Sequence, residues 1–400
     1  MSPSSTANDA TPRVEAQGFE RNAGCAAGTA TSISRRLGST HVSGRSVDDS
    51  NLVDVAIETN CGTRLLRIVR GTRILFEALR VGVPLAYSCA SGTCGSCVAQ
   101  VTDGTPGFGW EEAPGLSARQ RAAGKALLCQ CLAMESIHVH ARELPDQVKG
   151  RLTTPDYRAA LLNRQSRIAS GTWALELSLD APIDFAPGQF ILIWLPGVAG
   201  PRALSISNSV PGPISHVRLL VKPRQGSALS DALIEGRQGD PVKMFGPLGS
   251  ACLYEDPGDR DIFCVAASTG IAPMIPLAAD WIARGAPSRF DLVYAMRRPS
   301  DLLLIEELRD FVRRGGGRLS ANIVLSHAEE GDVEDLQRFL GSEIGVSCGL
   351  AHEAVREIAA GADSGGIAFV AGPGPMVRAT VRELLATQRW DGSSIRCDEF

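Results

Sequence analysis

The 400-residue chain contains no apolar run of about 18 residues or more, which excludes a membrane-spanning helix. It has no excess of one charge. Its 40 Lys and Arg face 44 Asp and Glu, a net of −4, so bulk attraction to nucleic acid is excluded. The first fifty residues lack a basic start followed by an apolar stretch, so no secretory signal is expected. Asp9, Glu15 and Glu20 argue against a mitochondrial presequence, because such peptides avoid acids. No internal repeat is visible. What remains is a small-molecule enzyme or a protein-binding module, with a length suited to two or three domains.

Cysteine is the first positive signal. There are eleven, an odd number, and Cys89, Cys94 and Cys97 fall within nine residues. Without a secretory signal, clustered thiols read as a metal site in a reducing, cytoplasmic compartment rather than as a disulfide scaffold.

Residues 1–50 are dominated by Ser, Ala, Thr and Gly without apolar periodicity, and read as a disordered tail. From Leu52 the pattern changes. Val53, Val55 and Ile57 alternate as in a half-buried strand, and Ile74–Arg80 reads as a short helix. Strands are expected at Val98–Val101 and Ile137–His140, and a Pro-containing polar linker at 144–150. Short alternating segments across 151–253, such as Ala174–Leu179, Gln189–Leu195 and Val217–Val221, suggest an antiparallel barrel. Across 254–400, the apolar runs Ile262–Ala266, Leu292–Ala295, Ile323–Ser326 and Ile367–Ala371 alternate with helical stretches. That rhythm implies βαβ units and a parallel sheet.

The spacing Cys89-x4-Cys94-x2-Cys97 is the plant-type [2Fe–2S] arrangement, which needs a distant fourth Cys. Two irons share bridging sulfides and each takes two thiolates, so three ligands come from one tight loop. Gly92 and Gly95 let the backbone approach the sulfides. The fourth ligand comes from Cys129-Gln130-Cys131. Cys129 is the choice because it ends the run Ala126-Leu127-Leu128, and Cys131 is the alternative. A zinc site competes, but zinc motifs favour paired C-x2-C elements and only one is present.

These residues carry a resemblance. Tyr87 to Cys97, with Leu127-Leu128-Cys129-Gln130, resembles a plant-type ferredoxin domain with the β-grasp fold, here at 51–143. The remaining thiols, Cys25, Cys61, Cys252, Cys264, Cys348 and Cys397, match no ligand position. Arg202-Ala203-Leu204-Ser205-Ile206-Ser207 is similar to the R-x-Y-S-x-S signature of the ferredoxin–NADP reductase superfamily, and Gly226 to Ser230 to its pyrophosphate loop. The resemblance implies an FAD-binding barrel at 151–253, with Arg202 on the pyrophosphate, Ser205 near the reactive flavin edge, Leu204 at the position of the stacking ring, and Ala203 and Ser207 as further cofactor-binding residues. Leu204 stands where the family usually has Tyr, so a ring-stacking contact worth about 0.5–1.5 kcal/mol is missing.

Ser268-Thr269-Gly270-Ile271-Ala272-Pro273 is similar to the family's G-G-T-G-I-A-P, with Ala267 and Ser268 in place of the leading glycines. Ala371-Gly372-Pro373-Gly374-Pro375-Met376 is similar to its C-G-P-x-x-M, with Ala371 for Cys. The ending Cys397-Asp-Glu-Phe400 resembles the acidic-Phe terminus found near the flavin. The resemblance implies that Thr269, Gly270, Pro273, Ala371, Gly372, Pro373 and Phe400 serve the dinucleotide or the flavin, in a doubly wound NAD-binding domain at 254–400.

The order ferredoxin, flavin, nucleotide resembles the reductase component of bacterial multicomponent oxygenases. That implies a multidomain α+β and α/β protein moving electrons from NADH to FAD to [2Fe–2S]. The acceptor is then a terminal oxygenase or a separate ferredoxin component, and the chain a monomer. Arg297 and Arg298, which follow Leu292–Ala295, can reach a 2′-phosphate, although the family habit is NADH. Two alternatives stay open: the same architecture with a non-oxygenase acceptor, and a redox-impaired binding module, motivated by Leu204, Ala371 and the lost glycines. Residues 52–143 hold nine Arg and Lys and eight Asp and Glu, so docking is expected to rest on a local patch rather than on long-range steering.

Overall fold

The computed structural model describes Glu15–Glu20 and residues 49–400, apart from Ser170, Pro211 and residues 361–365. The chain divides into two compact units. One comprises Met1–Tyr87 with Gly95–Pro145, the other Ser88–Cys94 with Asp146–Phe400.

The first unit is built on a mixed sheet. Its strands are β1 (Glu15–Glu20), β2 (Leu52–Thr59), β3 (Gly62–Val69), β4 (Val98–Asp103), β6 (Lys125–Leu127) and β8 (Ile137–His140), while β5 (Gly107–Phe108) pairs separately with β7 (Cys131–Leu132). The order is β1-β3-β2-β8-β4-β6, with only β2 and β8 parallel. The alternation of β2 puts Val53, Val55 and Ile57 into the core. Helix α1 (Ile74–Arg80) buries Ile74 through Leu79. A short helix α2 (Ala118–Ala122) starts with a capping box, in which Ser117 and Gln120 each bond the other's backbone N–H. This is the expected β-grasp arrangement.

One expectation needs correcting. Within the stretch read as a tail, Glu15–Glu20 forms β1 and pairs antiparallel with the edge of β3, Glu15 opposite Arg67 and Glu20 opposite Thr63. The open edge supplies the backbone partners, and such pairing needs no apolar pattern. Residues 1–14 and 21–48 of that tail, Cys25 included, lie outside the described residues.

In the second unit, β9 (Asp156–Ala169), β10 (Thr172–Ile183), β11 (Phe190–Trp194), β12 (Arg202–Ser205), β13 (Ile214–Val221) and β14 (Pro241–Leu248) form an antiparallel sheet in the order β12-β11-β14-β9-β10-β13. It closes on itself. Ile206 bridges Leu219, and the Ser207 N–H donates to the Arg218 carbonyl at 2.8 Å. Leu175, Leu177, Ile191, Ile193, Val217 and Leu219 fill the barrel. Helix α3 (Ala228–Glu235) follows β13.

The same unit carries a six-stranded parallel sheet of β15 (Ile262–Ala267), β16 (Phe290–Met296), β17 (Leu319–Leu325), β18 (Ile344–Cys348), β19 (Ile367–Gly372) and β20 (Ile395–Glu399). Its order is β18-β17-β16-β15-β19-β20. Central strands β15 and β19 are almost wholly buried, which explains their continuous apolar sequences. The connecting helices are α4 (Met274–Arg284), α5 (Ile305–Gly315), α6 (Asp332–Leu340), α7 (Ala351–Ala360) and α8 (Gly374–Ala386). Helix α5 shows the amphipathic logic: Leu308, Phe311, Val312 and Gly315 are buried, while Arg313 and Arg314 are exposed.

Barrel and parallel sheet are tied by ion pairs. Arg218 on β13 grips Glu307 on α5 through both guanidinium ends, one contact at 2.8 Å, and Lys222 reaches Asp301 at 3.3 Å.

Candidate functional site

The thiol loop turns through left-handed backbone at Ala90 (φ 51°) and Gly92 (φ 101°). Those turns aim N–H groups at sulfur: Ser91 N–H lies 3.5 Å from Cys89 Sγ, and Cys89 N–H 3.5 Å from Cys94 Sγ. Hydrogen bonding from the Cys94 thiol, with help from Ser91 and Thr93 and against the cost of burial, pulls Cys89 down to about 3. A thiolate is the metal-binding form.

Cys97 and Cys129 lie next to paired strands. Cys97 directly precedes β4 and Cys129 lies two residues past β6; Val98 pairs with Leu127, and Leu128 N–H donates to the Cys97 carbonyl at 3.0 Å. Gln130 Nε2 lies 3.8 Å from Cys129 Sγ. Gly95 is required here, because a Cβ would meet the Gly115 carbonyl at 2.6 Å on a backbone with φ 78°. Cys131 is different. It sits in β7, and burial together with the Cys97 charge pushes its thiol up to about 12.

Among the described residues no three His, Cys, Asp or Glu converge as the shell of a single ion. Four thiols suit a binuclear cluster, which takes two thiolates per iron.

On the barrel, Arg202 to Ser205 are all half-buried along β12. Arg202 Nη1 donates to the carbonyls of Ala199, Gly200 and Pro201 at 3.0, 3.3 and 3.2 Å. Its Nε and Nη2 have no partner among the described residues, and burial lowers its pKa. Leu204 packs against the barrel core. Ser205 Oγ donates to Asp398 Oδ2 at 3.2 Å, joining β12 to β20. Burial pushes Asp398 up to about 6, and the Ser205 hydrogen bond opposes that rise. In the Gly226 loop, Gly226 is left-handed (φ 69°), with open space where a Cβ would stand. Ser227 caps α3 by accepting from Ser230 N–H at 3.2 Å.

The strand order of the parallel sheet reverses between β15 and β19. The first crossover leaves β15 toward β16, and the chain returns on its other side at β19. Ligands of such sheets bind at that carboxyl-end crevice. Here Gly270 lies so close to the end of β19 that a Cβ would stand 2.2 Å from the Ala371 carbonyl oxygen. The preceding Ser268 is left-handed (φ 53°), a conformation that suits the glycine it replaces. Pro273 leads into α4 and Pro373 into α8. Pro273, Phe369, Ala371, Arg396 and Asp398 line one small cleft. Phe400 N–H bonds the Gly372 carbonyl at 3.2 Å, and its ring is exposed.

A family model described as "2Fe-2S iron-sulfur cluster binding domain" matches residues 54–134, and one described as "Oxidoreductase NAD-binding domain" matches 264–382. The alkene monooxygenase system ferredoxin–NAD(+) reductase component of Xanthobacter autotrophicus is 34% identical over 237 residues, 59% of this chain and 71% of that one. The chain belongs to the family of oxygenase reductase components. The reductase component of a Pseudomonas phenol 2-monooxygenase is 27% identical across 80% of this chain and 87% of its own. Among solved structures, a ferredoxin reductase of carbazole 1,9a-dioxygenase shares the fold (TM-score 0.71, 24% identity, 87% of this chain and 98% of that one). An Amycolatopsis cytochrome P450 reductase also aligns (TM-score 0.68, 27% identity, 86% and 98%).

The reductase fold gathers most of the residues expected from sequence. Cys89 lies against the Cys94 thiol, and the pairing of β4 with β6 brings the backbone of Cys97 beside Leu128, next to Cys129. Ser205 comes to the parallel sheet, and Gly270 comes against Ala371. Two of the motif residues are engaged within the barrel domain. Ser207 is completely buried and its hydroxyl donates to the Arg218 carbonyl at 2.9 Å. The Ser230 N–H donates to the Ser227 hydroxyl at 3.2 Å. Two residues escaped the sequence reading. Ser227 is visible in retrospect as the capping Ser before Ala228-Leu229. Asp398 had only a terminal signal, an acid two places before the last Phe.

Proposed function

We propose that this reductase divides its work among a [2Fe–2S] domain at 51–143, a linker at 144–150, an FAD barrel at 151–253 and an NAD domain at 254–400. Its acceptor is the terminal component of an aromatic or hydrocarbon oxygenase. The observation that carries this is the presence in one chain of Cys89, Cys94, Cys97 and Cys129, a closed barrel with a half-buried arginine, and a parallel sheet with a glycine-lined switch point.

The residues fit the groups. Cys89, Cys94, Cys97 and Cys129 supply two thiolates per iron. Among the described residues Arg202 makes its hydrogen bonds through Nη1 alone, which leaves the rest of its guanidinium suited to a pyrophosphate. The close Gly270–Ala371 approach leaves the nucleotide end lined by small groups. When bound, FAD accepts a hydride as an electron pair and the cluster handles single electrons.

The chain's own residues do the positioning. Ser205 and Asp398 fix one polar edge, with the Asp398 carboxyl able to hold a proton near neutral pH. Thr269, Gly270 and Pro273 shape the turn that receives phosphates, and Gly372 and Pro373 turn the chain out of β19. The Ala371 methyl occupies the strand end where the nicotinamide is received. Phe400 covers the Gly372 end. Ala203 and Leu204 give an apolar wall to the flavin, and Gly226 leaves room for the backbone to approach it.

The thiols clustered at Cys89, Cys94 and Cys97, read as metal ligands, suit a reducing, cytoplasmic setting, and no described helix is long and apolar enough to cross a membrane. The reading includes a monomer. A second acceptor class, a cytochrome P450, is favoured by the likeness to the Amycolatopsis P450 reductase.

Anaerobic titration with NADH, followed by absorbance and EPR, tests the reading. Flavin bleaching together with a rhombic signal from the reduced cluster is expected. Bleaching with no EPR signal would refute the cluster assignment, and no bleaching at all would leave only a binding module.

A further inference from the structure

Strand β20 is the last of the chain and stands at the edge of its sheet. Among the described residues it pairs on one side, with β19. Terminal segments of this kind fray unless something ties them down. Its residues alternate between two environments, as a strand requires. Ile395 and Cys397 pack against the sheet's core on one face, and Glu399 pairs with Arg378 of α8 at 2.5 Å. Arg396 and Asp398 share the other face, where both line one small cleft.

Arg396 is only 7% exposed, an uncommon place for a guanidinium. Its Nη1 donates to the Cys252 carbonyl at 2.6 Å, and its Nη2 to Glu255 Oε1 at 3.2 Å. Its guanidinium carbon stands 4.2 Å from the Tyr254 ring centre and 5.3 Å from that of Phe369. Cys252, Tyr254 and Glu255 belong to the segment that leads from barrel strand β14 into β15. That segment is itself fixed to the barrel. Leu253 N–H donates to the Pro187 carbonyl at 2.7 Å, and a Cβ on Gly188 would stand 2.7 Å from the Ala251 oxygen. Glu255 is held as well by Arg151 at 3.0 Å and Arg260 at 2.9 Å, so it does not simply follow Arg396. Two residues beyond Arg396, on the same face of β20, Asp398 accepts from Ser205 Oγ of β12 at 3.2 Å. At about 3.3 Å of rise per residue, the two contacts lie about 7 Å apart on one strand.

We propose that Arg396 is a positioning residue for flavin reduction: by clamping β20 to the 252–255 segment, it sets where Asp398 meets Ser205 and so shapes the polar flavin edge. The inference rests on the flavin site proposed above and deepens it. Arg396 acts through Asp398 and not on the cofactor itself. Its planar fork bonds a carbonyl and a carboxylate at once, a geometry that neither Gln nor Lys reproduces. Without the clamp, β20 keeps its ladder to β19 but loses this tie to the barrel, and Asp398 drifts from Ser205. A misplacement of about 1 Å from a change away from the chemistry can cost about a hundredfold in rate.

The test follows flavin bleaching after rapid mixing of the full, flavin-loaded chain with NADH. In Arg396→Gln the limiting rate falls by about tenfold to a hundredfold, while the half-saturating NADH concentration stays within about twofold of the parent. Arg396→Lys, which keeps the charge and a donor, lies between the two. Arg260→Gln removes another Glu255 partner without touching β20, and bleaches like the parent. Hydrogen exchange on the same chains reads the clamp without turnover: residues 395–400 exchange faster in Arg396→Gln, and residues 262–267 do not. The decisive comparison is a double-mutant cycle. In an Asp398→Asn background, Arg396→Gln costs no more than about a further twofold, because the contact it positions is already altered. A limiting rate within about twofold of the parent, an equal loss in Arg260→Gln, or a fully additive loss in the Asp398→Asn background overturns the proposal. Unchanged exchange at 395–400 does so too. A parent chain that does not bleach overturns the flavin reading itself, and this inference with it. If Arg396→Gln does not fold, Arg396→Lys carries both the cycle and the exchange measurement.

Discussion

Gly270→Ala isolates the close approach on which the nucleotide end depends. The added Cβ would stand 2.2 Å from the Ala371 oxygen, 2.7 Å from its carbonyl carbon and 3.2 Å from Gly372 N. All three are backbone atoms, so no flexible side chain can yield. They belong to β19, which is held between β15 and β20. Relief therefore needs a backbone shift of about 1 Å, and such overpacking typically costs about 1–3 kcal/mol. For a unit of this size that is a melting decrease of about 2–12 °C. A shift of that size at the phosphate turn also weakens nucleotide binding, by about tenfold or more. Gly226→Ala is the control: its φ of 69° brings a strain of about 1 kcal/mol, but the added methyl meets open space. Differential scanning fluorimetry and calorimetry with ADP-ribose read both effects. If Gly270→Ala melts within a degree of the parent and binds ADP-ribose equally, the steric argument is wrong.

Four further outcomes follow from single positions. Ser268→Gly relieves a left-handed serine (φ 53°) and should raise stability by about 1 kcal/mol, read as a higher melting temperature. Asp398 has its carboxyl raised from an ordinary 3.8 to about 6, so its ionisation opposes folding and stability falls as pH rises from about 4 through 6. Asp398→Asn should therefore melt above the parent at pH 7.5, with the gap closing by pH 4; a gap independent of pH would refute the assignment. Cys129→Ser should abolish or strongly shift the reduced-cluster EPR signal while Cys131→Ser preserves it, and the reverse pattern would move the fourth ligand to Cys131. Leu204→Tyr should tighten FAD by up to about tenfold on gel filtration and fluorescence titration, and weaker retention would show a pocket shaped for the leucine.

Local pattern makes much of this reductase legible in the sequence itself. Three thiols in nine residues announce a cluster because one tight loop must wrap it. Ile137–His140 falls where its alternation puts it, with Ile137 and Val139 buried, and Ile74–Arg80 forms the expected helix, buried through Leu79. Ile262–Ala267 and Ile367–Gly372 read as central parallel strands because both of their faces are covered. Short-range chemistry of this kind depends only on neighbours in the chain.

Tertiary structure decided the rest. Ser205 meets Asp398 across 193 positions of sequence, and nothing local to either predicts the other. Ser207 has the motif position of a cofactor-binding residue, and barrel closure sets its hydroxyl on the Arg218 carbonyl. Gly270 looks like one turn glycine among many until the crossover order of the sheet brings the Ala371 oxygen to where its Cβ would be. Glu15–Glu20 pairs with β3 through backbone groups that any sequence carries, so no side-chain pattern marks it. In each case the deciding quantity is a distance set by strand order and closure, and those depend on how whole elements pack, not on residues that adjoin in the chain.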